Sequence, residues 1–468
     1  MTLTFGFEGT VPLYKQLYDH IKAEIKSGKM RVGEKLPSKR NLSAHLKISQ
    51  NTVDTAYQQL AAEGYIKSRP KSGFFVCKLE ELPINDEYKR KSIRQNDKIS
   101  SDSRYLYDFK TNTVDTTFFP FATWVKISKE IMHDENKGLL KMTHPQGDYL
   151  LRESIAGYLH SFRGVNCIPE QIIVGAGSEY LLGLITQILG KRSSYAIENP
   201  GYLKIYQILK INHSNVDFIG LDDEGIKASA LAASQANIVY ITPSHHFPTG
   251  IVMPISRRMQ LLKWANQSED RYIIEDDYDS EFRFAGRPIP ALQGLDTNEK
   301  VIYLSTFSKS IAPSIRISYM VLPMPLLQRF EDEFSFYSST VSRFEQYTLY
   351  KFIKEGHFER HINKMRNIYK ARKDRLVEEI RKLGDGRQIE ILGENTGPHL
   401  LLRVHGPMQE QDLVATAAKH GVKLSGLSGY YYQPEKDMPG NVVVLGYTNF
   451  NDEEISRACK LLGEAWKV

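Results

Sequence analysis

Residues 305–316 have the sequence STFSKSIAPSIR, in which Lys309 and Arg316 stand seven positions apart. They directly follow the apolar run VIYL at 301–304, which is typical of a buried strand in a parallel sheet. In open α/β sheets, ligands bind beyond the carboxyl ends of the strands. We therefore expect Lys309 and Arg316 to stand at a ligand site of such a sheet.

Similar short apolar runs recur between longer helix-like segments. They are IIV at 172–174, IVYI at 238–241 and YII at 272–274. Short apolar strands that alternate with helices imply a parallel sheet covered on both faces. A long charged, amphipathic helical pattern at 343–382 precedes strand-like runs at 397–403 and 442–445, which predicts a smaller α+β C-terminal subdomain.

Polar residues near these strands complete a candidate cofactor site. Asp276 and Tyr278 follow the strand at 272–274, and the sequence GAGS at 175–178 separates a strand from an apolar helix. Backbone amides at the start of such a helix bind phosphate. A lysine, a carboxylate, a phenol and a phosphate-binding turn are what pyridoxal 5'-phosphate requires of a protein. We therefore predict this cofactor and no metal site.

Each predicted residue has a role toward the cofactor. Lys309 forms the Schiff base with the aldehyde, Asp276 keeps the pyridine nitrogen protonated, and Tyr278 donates to the phenolic oxygen. Tyr202 is the candidate ring that stacks on the cofactor. The phosphate is expected to contact the backbone amides of the glycine-rich turn at Gly177 and Ser178, the guanidinium of Arg316, and the hydroxyls of Thr306 and Ser308.

The first 76 residues predict a separate DNA-binding module. They carry 12 Lys and Arg against 6 Asp and Glu, whereas the remaining residues carry 49 of each, so the net charge of +6 lies in this module. A localised positive excess suggests a polyanionic partner, although chance scatter of a few charges gives the same count. The cysteines, Cys77, Cys167 and Cys459, are too far apart to indicate disulfides or zinc, which fits a reducing cytoplasm. No apolar run is long enough to predict a membrane span.

The pattern inside this module predicts a winged helix-turn-helix. Leu13, Leu17, Ile21 and Ile25 repeat every four residues, which indicates an amphipathic helix. Ser38 is expected to cap a helix that ends at Leu46. Ser49 is expected to cap a second helix from Gln50 to Glu63, which Gly64 closes. Residues 65–76 then predict two strands around a basic turn, a wing.

The second of these short helices is expected to enter the major groove of DNA. Its first residues, Gln50, Asn51 and Thr52, then reach the bases. The residues expected at phosphates and at the tip of the wing are Ser38, Lys39, Arg40, Lys71 and Gly73. The alternative is a small helical cap on the larger body.

Two resemblances follow from these motifs. GEKLPSKRNLS at 33–43 and SQNTVDTAY at 49–57 resemble the winged helix of GntR-type repressors, although those often have arginine where Gln50 and Asp54 stand. The series from the glycine-rich turn to Arg316 resembles the fold-type I aminotransferases, an α/β fold of pyridoxal-phosphate-dependent transferases. Together they resemble the MocR subgroup of GntR regulators.

The composition and the resemblance imply a domain order and an assembly. The polar, charged composition from Lys78 to Arg104 predicts a linker, so we expect a winged helix at 1–77, a linker at 78–107 and an aminotransferase-like domain at 108–468, which the resemblance makes the effector and dimerisation domain. The resemblance also implies a homodimer, commonly head-to-tail, in which an amino compound that reacts at Lys309 changes how two DNA modules are held.

Several positions depart from active aminotransferases. Phe247 stands where they have an asparagine that bonds the phenolic oxygen, and His246 is either its substitute or a buried histidine. Met142 stands where a tyrosine often reaches the partner's phosphate. For a substrate carboxylate the candidates are Lys204 and Arg403, while the tyrosines at 430–432 either line the effector pocket or pack as core.

These features favour a DNA-binding transcriptional regulator that responds to an amino compound, with at most weak or half-reaction transaminase activity. The main alternative is a competent aminotransferase with an accessory DNA-binding domain. A third hypothesis is that pyridoxal phosphate itself is the signal.

Overall fold

The structure is a computed structural model that describes residues 11–79, 105–284, 286, 289–383, 388–394, 397–435 and 438–467. The chain divides into two compact units, residues 1–101 and residues 102–468. Most of the predicted linker at 78–107 lies outside the described residues. In the part of the chain that is described, no helix has the length and apolar character of a membrane span.

Within residues 11–79, unit 1 contains three helices followed by a two-stranded hairpin. The elements are α1 Leu13–Lys26, α2 Lys39–Leu46, α3 Gln50–Ala62, β1 Ile66–Arg69 and β2 Gly73–Val76. Both predicted caps are present, since Ser38 Oγ accepts from the backbone amide of Asn41 and Ser49 Oγ accepts from that of Thr52. The hairpin is antiparallel, with Arg69 opposite Gly73.

A small apolar core holds unit 1 together. Leu17, Ile21 and Ile25 of α1 are buried against α3, where Tyr57 is fully buried. Leu13 was predicted on the same buried face, but it is 42% exposed. It is the first residue of α1 and extends beyond the core that buries the other three.

Unit 2 is an α/β body with a smaller C-terminal sheet. Its strands are β3 Tyr107–Asp108, β4 Ile172–Gly175, β5 Ser194–Asn199, β6 Asn215–Asp222, β7 Gly225–Ile226, β8 Ile238–Ile241, β9 Tyr272–Asp277, β10 Val301–Thr306, β11 Ser318–Val321, β12 Ile389–Leu392, β13 His399–Val404, β14 Val422–Lys423, β15 Ser425–Gly426 and β16 Val442–Gly446. Its helices are α4 Phe121–Ile131, α5 Tyr149–Arg163, α6 Ser178–Leu189, α7 Leu203–Ile211, α8 Ala228–Ala233, α9 Ile255–Ala265, α10 Phe307–Ser310, α11 Met324–Phe334, α12 Arg343–Lys354, α13 His357–Arg381, α14 Glu410–Lys419 and α15 Asp452–Trp466.

Within the described residues, eight strands form the large sheet in the order β4-β11-β10-β9-β8-β5-β6-β7. Neighbouring pairs from β10 to β6 are parallel, as predicted, but β11 is antiparallel to both β10 and β4. The sheet is therefore mixed, because the chain returns after residue 316 as a hairpin strand beside β10. Tyr303 faces one core cluster while Ile302 and Leu304 face another, so helices cover both faces.

The predicted long helix at 343–382 is two helices. Gly356 separates α12 from α13 and adopts φ +72°, a left-handed conformation that favours glycine and interrupts the helix. Beyond α13, β12, β13, β16 and β15 form an antiparallel sheet. This confirms the smaller C-terminal subdomain. β3 pairs with β14, so residues 107 and 108 belong to unit 2.

Candidate functional site

A cavity of about 190 Å³ opens at the carboxyl ends of β5, β8, β9 and β10 in unit 2. Eight of the nine predicted cofactor residues line it. They are Ser178, Tyr202, Asp276, Tyr278, Thr306, Ser308, Lys309 and Arg316. The ninth, Gly177, directly precedes α6 and lies against Arg316. Residues that are up to 139 positions apart in the sequence therefore meet at one site because parallel strands end at the same edge of the sheet.

Lys309 lies in the short helix α10, which begins directly after β10. Its Nζ donates to the backbone carbonyl of Asn112 at 2.7 Å. Burial lowers the pKa of the Lys309 amine to about 8, against the ordinary 10.5. A much larger fraction of this amine is therefore neutral near pH 7 than for an exposed lysine.

Asp276 is the penultimate residue of β9, and its Oδ2 accepts a hydrogen bond from the Tyr240 hydroxyl of β8. Burial and the neighbouring carboxylates of Asp277 and Asp279 raise the pKa of Asp276 to about 7, whereas the Tyr240 hydroxyl and Lys309 oppose the rise. A positively charged ring nitrogen beside Asp276 would favour the ionised form of this carboxyl group.

Tyr278 is placed by a buried chain of hydrogen bonds. Its hydroxyl lies 3.2 Å from His245 Nδ1, and the same nitrogen lies 2.8 Å from Asp279 Oδ2. Burial and the nearby carboxylates of Asp279 and Asp276 raise the Tyr278 pKa well above its ordinary value, so the hydroxyl remains protonated. It is available as a donor in the cavity wall.

The glycine-rich turn and Arg316 form a cradle at the start of α6. Gly177 adopts φ +104°, and a Cβ placed there would lie 2.1 Å from Arg316 Nη2. Only a glycine therefore leaves room for the guanidinium over the first turn of the helix. Ser308 Oγ, in the cavity wall, is buried without a hydrogen-bond partner among the described residues.

The Thr306 hydroxyl is already used inside the protein. Thr306 Oγ1 caps α10 by accepting from the backbone amide of Ser308 at 3.1 Å, and it also accepts from Ser318 Oγ at 2.8 Å. Thr306 therefore shapes the site, while Ser308 offers the unpartnered hydroxyl.

Aromatic rings form part of the cavity wall. Tyr202 is 38% exposed and lies edge-on to Phe247 with ring centroids 5.7 Å apart. Phe247 lines the cavity, whereas His246 is not among the residues that do. His246 is buried, and its Nδ1 bonds Thr249 Oγ1 at 2.7 Å. It is therefore the buried histidine of the two alternatives, not a substitute for the asparagine.

The two candidates for binding a substrate carboxylate lie in different places, and one of the three neighbouring tyrosines lines the cavity. Arg403 pairs with Glu390 at 2.7 Å on the small sheet and does not line the cavity. Lys204 lines the cavity and lies 3.5 Å from Glu179. Of the tyrosines at 430–432, Tyr432 lines the cavity, and its backbone amide bonds Asn199 Oδ1 at 2.9 Å.

Five residues of the cavity wall with polar side chains were not predicted as site residues. They are Asn112, Glu179, Glu198, Tyr240 and Thr242. Burial raises the pKa of Glu198 to about 8, and the backbone amide and hydroxyl of Thr242 hold its Oε2 at 3.0 Å each. Glu179 directly follows Ser178, so position alone could have indicated it. Tyr240 could have been indicated only by knowing that β8 lies beside β9.

Most of the predicted DNA-contact residues are on the surface of unit 1. Arg40, Gln50, Asn51, Lys71 and Gly73 are exposed, as is the capping residue Ser38. Thr52 is half-buried, and its hydroxyl lies 2.8 Å from Ser49 Oγ.

Lys39 forms an ion pair and a cation–π contact within unit 1. Its ammonium pairs with Asp54 of α3 and lies 5.3 Å from the centre of the Phe74 ring. The Lys39 hydrogen bond lowers the pKa of Asp54, so this carboxylate stays ionised. The pair joins α2 to α3 inside the helix-turn-helix.

The fold and the site define a winged-helix DNA-binding unit joined to an aminotransferase-type body. The family model described as "Bacterial regulatory proteins, gntR family" matches residues 13–76, and that described as "Aminotransferase class I and II" matches residues 107–459. The chain is similar to the HTH-type transcriptional regulator YdeL of Bacillus subtilis, with 42% identity over 98% of this chain and 97% of the relative.

Further relatives and solved structures agree with this class. The probable rhizopine catabolism regulatory protein MocR of Rhizobium meliloti is 31% identical over 99% of this chain and 96% of its own. The pyridoxine biosynthesis regulator PdxR of Corynebacterium glutamicum is 30% identical over 94% of this chain and 93% of its own. Kynurenine aminotransferase from Pyrococcus horikoshii superposes with a TM-score of 0.67 and 25% identity over 77% of this chain and 90% of that chain.

The chain therefore belongs to the MocR- and PdxR-type HTH transcriptional regulators, which join a GntR winged helix to an aminotransferase domain. The cofactor for which this body is built is pyridoxal phosphate. The residues fit that group, since the Gly177 cradle admits an anion beside Arg316 and Ser308 Oγ is unpartnered in the same wall.

The rate at which Lys309 captures the cofactor should rise with pH and reach half its maximum near pH 8. Only the neutral amine can join an aldehyde, and burial lowers the Lys309 pKa to about 8, so the amine is protonated below that pH and free above it. Stopped-flow absorbance between about pH 6 and pH 10 measures this rate. A rate that keeps rising about tenfold per pH unit to pH 10 would show an ordinary lysine.

Proposed function

We propose that this chain is a pyridoxal-phosphate-dependent regulator whose DNA binding changes when an amino compound reaches the cofactor at Lys309. The observation that carries the proposal is the convergence of Lys309, Asp276 and the Arg316 cradle on one cavity, in a chain that also has an intact winged helix. When bound, the cofactor supplies an electron-poor imine that amines can attack. Lys309 anchors it, Asp276 orients its ring, and Tyr202 and Tyr278 shape the access.

The cation set of the cavity favours a sensor over an efficient aminotransferase. Among the described residues of the wall, the cations are Lys204, Lys309 and Arg316. Lys309 holds the cofactor, and we assign Arg316 to its phosphate. Only Lys204 remains for a carboxylate, and a lysine cannot form the bidentate pair that an arginine forms. The effector is therefore not selected by an arginine of this cavity wall.

The DNA-contact residues are proposed in two groups. The bases are assigned to Gln50, Asn51 and Thr52 at the start of α3, and the phosphates to Arg40 and Lys71. We assign Ser38 and Gly73 a structural role, in which they fix the backbone conformation of the turn before α2 and of the wing. We assign Lys39 to the DNA-facing side, where its pair with Asp54 fixes its position.

We further propose a homodimer, arranged head-to-tail, that acts in the cytoplasm. Phe121, Val125 and Met132 of the α4 region recur at helical spacing and are 67%, 45% and 69% exposed, and Met142 is 81% exposed. Exposed apolar surface of this kind marks protein interfaces. A two-fold dimer would bring two winged helices to a palindromic DNA site.

Replacing Arg40 by alanine is expected to weaken binding to specific and non-specific DNA alike. Each phosphate contact releases a counterion, so the slope of log affinity against log salt should fall by about one unit. Fluorescence anisotropy with labelled duplexes across a salt series measures the slope. Arg457→Ala changes an exposed cation of α15 and serves as the control. An unchanged slope would remove Arg40 from the phosphate contacts.

The effector is found by following the visible absorbance of the purified protein. The cofactor band is titrated with D- and L-amino acids, dipeptides and ω-amino acids. A shift of the band without turnover supports the sensor. Steady release of a keto acid would support the alternative, a competent aminotransferase with an accessory DNA-binding domain. No band after addition of pyridoxal phosphate would overturn the proposal.

A further inference from the structure

Glu179 holds two cations of the cavity wall at once. It lies in the first turn of α6, and its Oε2 accepts from Arg316 Nη2 at 2.7 Å. Its Oε1 lies 3.5 Å from Lys204 Nζ. All three side chains line the cavity and remain about half exposed. Both oxygens of Glu179 are thus on cations that an incoming phosphate would also attract.

The Glu179 carboxylate stands on the phosphate side of Arg316. A Cβ at Gly177 would lie 2.1 Å from Arg316 Nη2 and 3.0 Å from Glu179 Oε2, so guanidinium and carboxylate meet over the same glycine. That glycine precedes the first amides of α6, where an anion binds. A carboxylate that only oriented Arg316 would contact the guanidinium on the side away from Gly177.

We propose that Glu179 competes with the cofactor phosphate for Arg316 and thereby sets the affinity of the chain for pyridoxal phosphate. The inference rests on the proposed cofactor site. A phosphate dianion that occupies the cradle must displace a carboxylate or stand beside it, and like charges that are a few ångströms apart repel. Lys204 moderates the competition because it draws the other oxygen of Glu179 away from Arg316.

Two substitutions separate the roles of these charges. Glu179→Gln keeps the shape and a hydrogen-bond acceptor for Arg316 but removes the negative charge, so pyridoxal phosphate should bind about tenfold more tightly. Lys204→Gln leaves Glu179 to Arg316 alone, so pyridoxal phosphate should bind several-fold more weakly. Glu333→Gln is the matched control, because Glu333 pairs with Arg329 at 3.1 Å on α11 and is about half exposed.

The measurement is a titration of the full chain after removal of cofactor, followed by visible absorbance and by protein fluorescence. Each variant is titrated with pyridoxal phosphate and with pyridoxal, which lacks the phosphate. The proposal predicts that Glu179→Gln tightens binding of the phosphorylated form alone and that Glu333→Gln changes neither affinity.

Unchanged or weaker binding of pyridoxal phosphate to Glu179→Gln would overturn the proposal and show that the carboxylate positions Arg316. Equal tightening for pyridoxal would overturn it as well, since the phosphate would then not be the competing group. A wild-type chain that binds neither compound would overturn the proposed function together with this inference.

Discussion

Replacing Lys309 by alanine will abolish the visible absorbance band of the cofactor imine and every response to the effector, while part of the DNA affinity remains. Lys309 lines the cavity together with Asp276, and it lies in the short helix α10 that directly follows β10. The winged helix has its own core, so unit 1 should keep its fold and its general affinity for DNA. The expected signal is complete loss of the band.

The comparison uses the same two readouts on three proteins. Wild type, Lys309→Ala and Lys460→Ala are incubated with pyridoxal phosphate, scanned in the visible range and titrated with labelled DNA. Lys460 is an exposed lysine of α15 and should behave as wild type. A Lys309→Ala protein that keeps both the band and the effector response would contradict the assignment of the anchoring lysine.

Replacing Asp277 by alanine should destabilise unit 2 by about 3–5 kcal/mol. Asp277 Oδ2 accepts from Arg163 Nε at 2.7 Å, and the two side chains are only 1% and 4% exposed. Tyr303 also donates to the same oxygen. Without Asp277 the Arg163 charge stays buried without its carboxylate, which is the costly outcome for a buried ion pair.

Tryptophan fluorescence reports this loss selectively. The three tryptophans of the chain, Trp124, Trp264 and Trp466, all belong to unit 2. Urea unfolding followed by their emission therefore measures the stability of that unit. Glu453→Ala, which removes the exposed pair with Arg457, should change the free energy of unfolding by less than about 0.5 kcal/mol. Equal effects of the two substitutions would contradict a special role for the buried pair.

Short sequence patterns predicted most helices and strands, because the interactions that form them are between residues close together in the sequence. The serine caps at 38 and 49, the four-residue spacing of α1 and the apolar strands depend on neighbours within a few positions. β11 is antiparallel because the chain turns back after Arg316 as a hairpin beside β10. No local sequence pattern distinguishes this hairpin from a helical crossover, which would have made β11 parallel.

The candidate site was predictable where residues follow a strand or precede a helix. Lys309, Asp276 and the turn before α6 have such positions, and they line or border the cavity. Asn112 and Tyr240 were missed because their neighbours at the site are distant in sequence. Arg403 was considered because arginines bind carboxylates, but its partner Glu390 is on the adjacent strand β12. Strand pairing, not residue type, decided its role.

The decisive measurement asks whether occupancy of the Lys309 site changes binding to DNA. A duplex selected by the protein from a random-sequence library is labelled, and its affinity is measured by anisotropy with and without the compound that shifts the cofactor band. Coupling between two sites typically changes an affinity at least about fivefold, and we expect such a change in wild type and none in Lys309→Ala. Equal DNA affinity in wild type, with and without a compound that shifts the band, would contradict the coupling of cofactor site and winged helix.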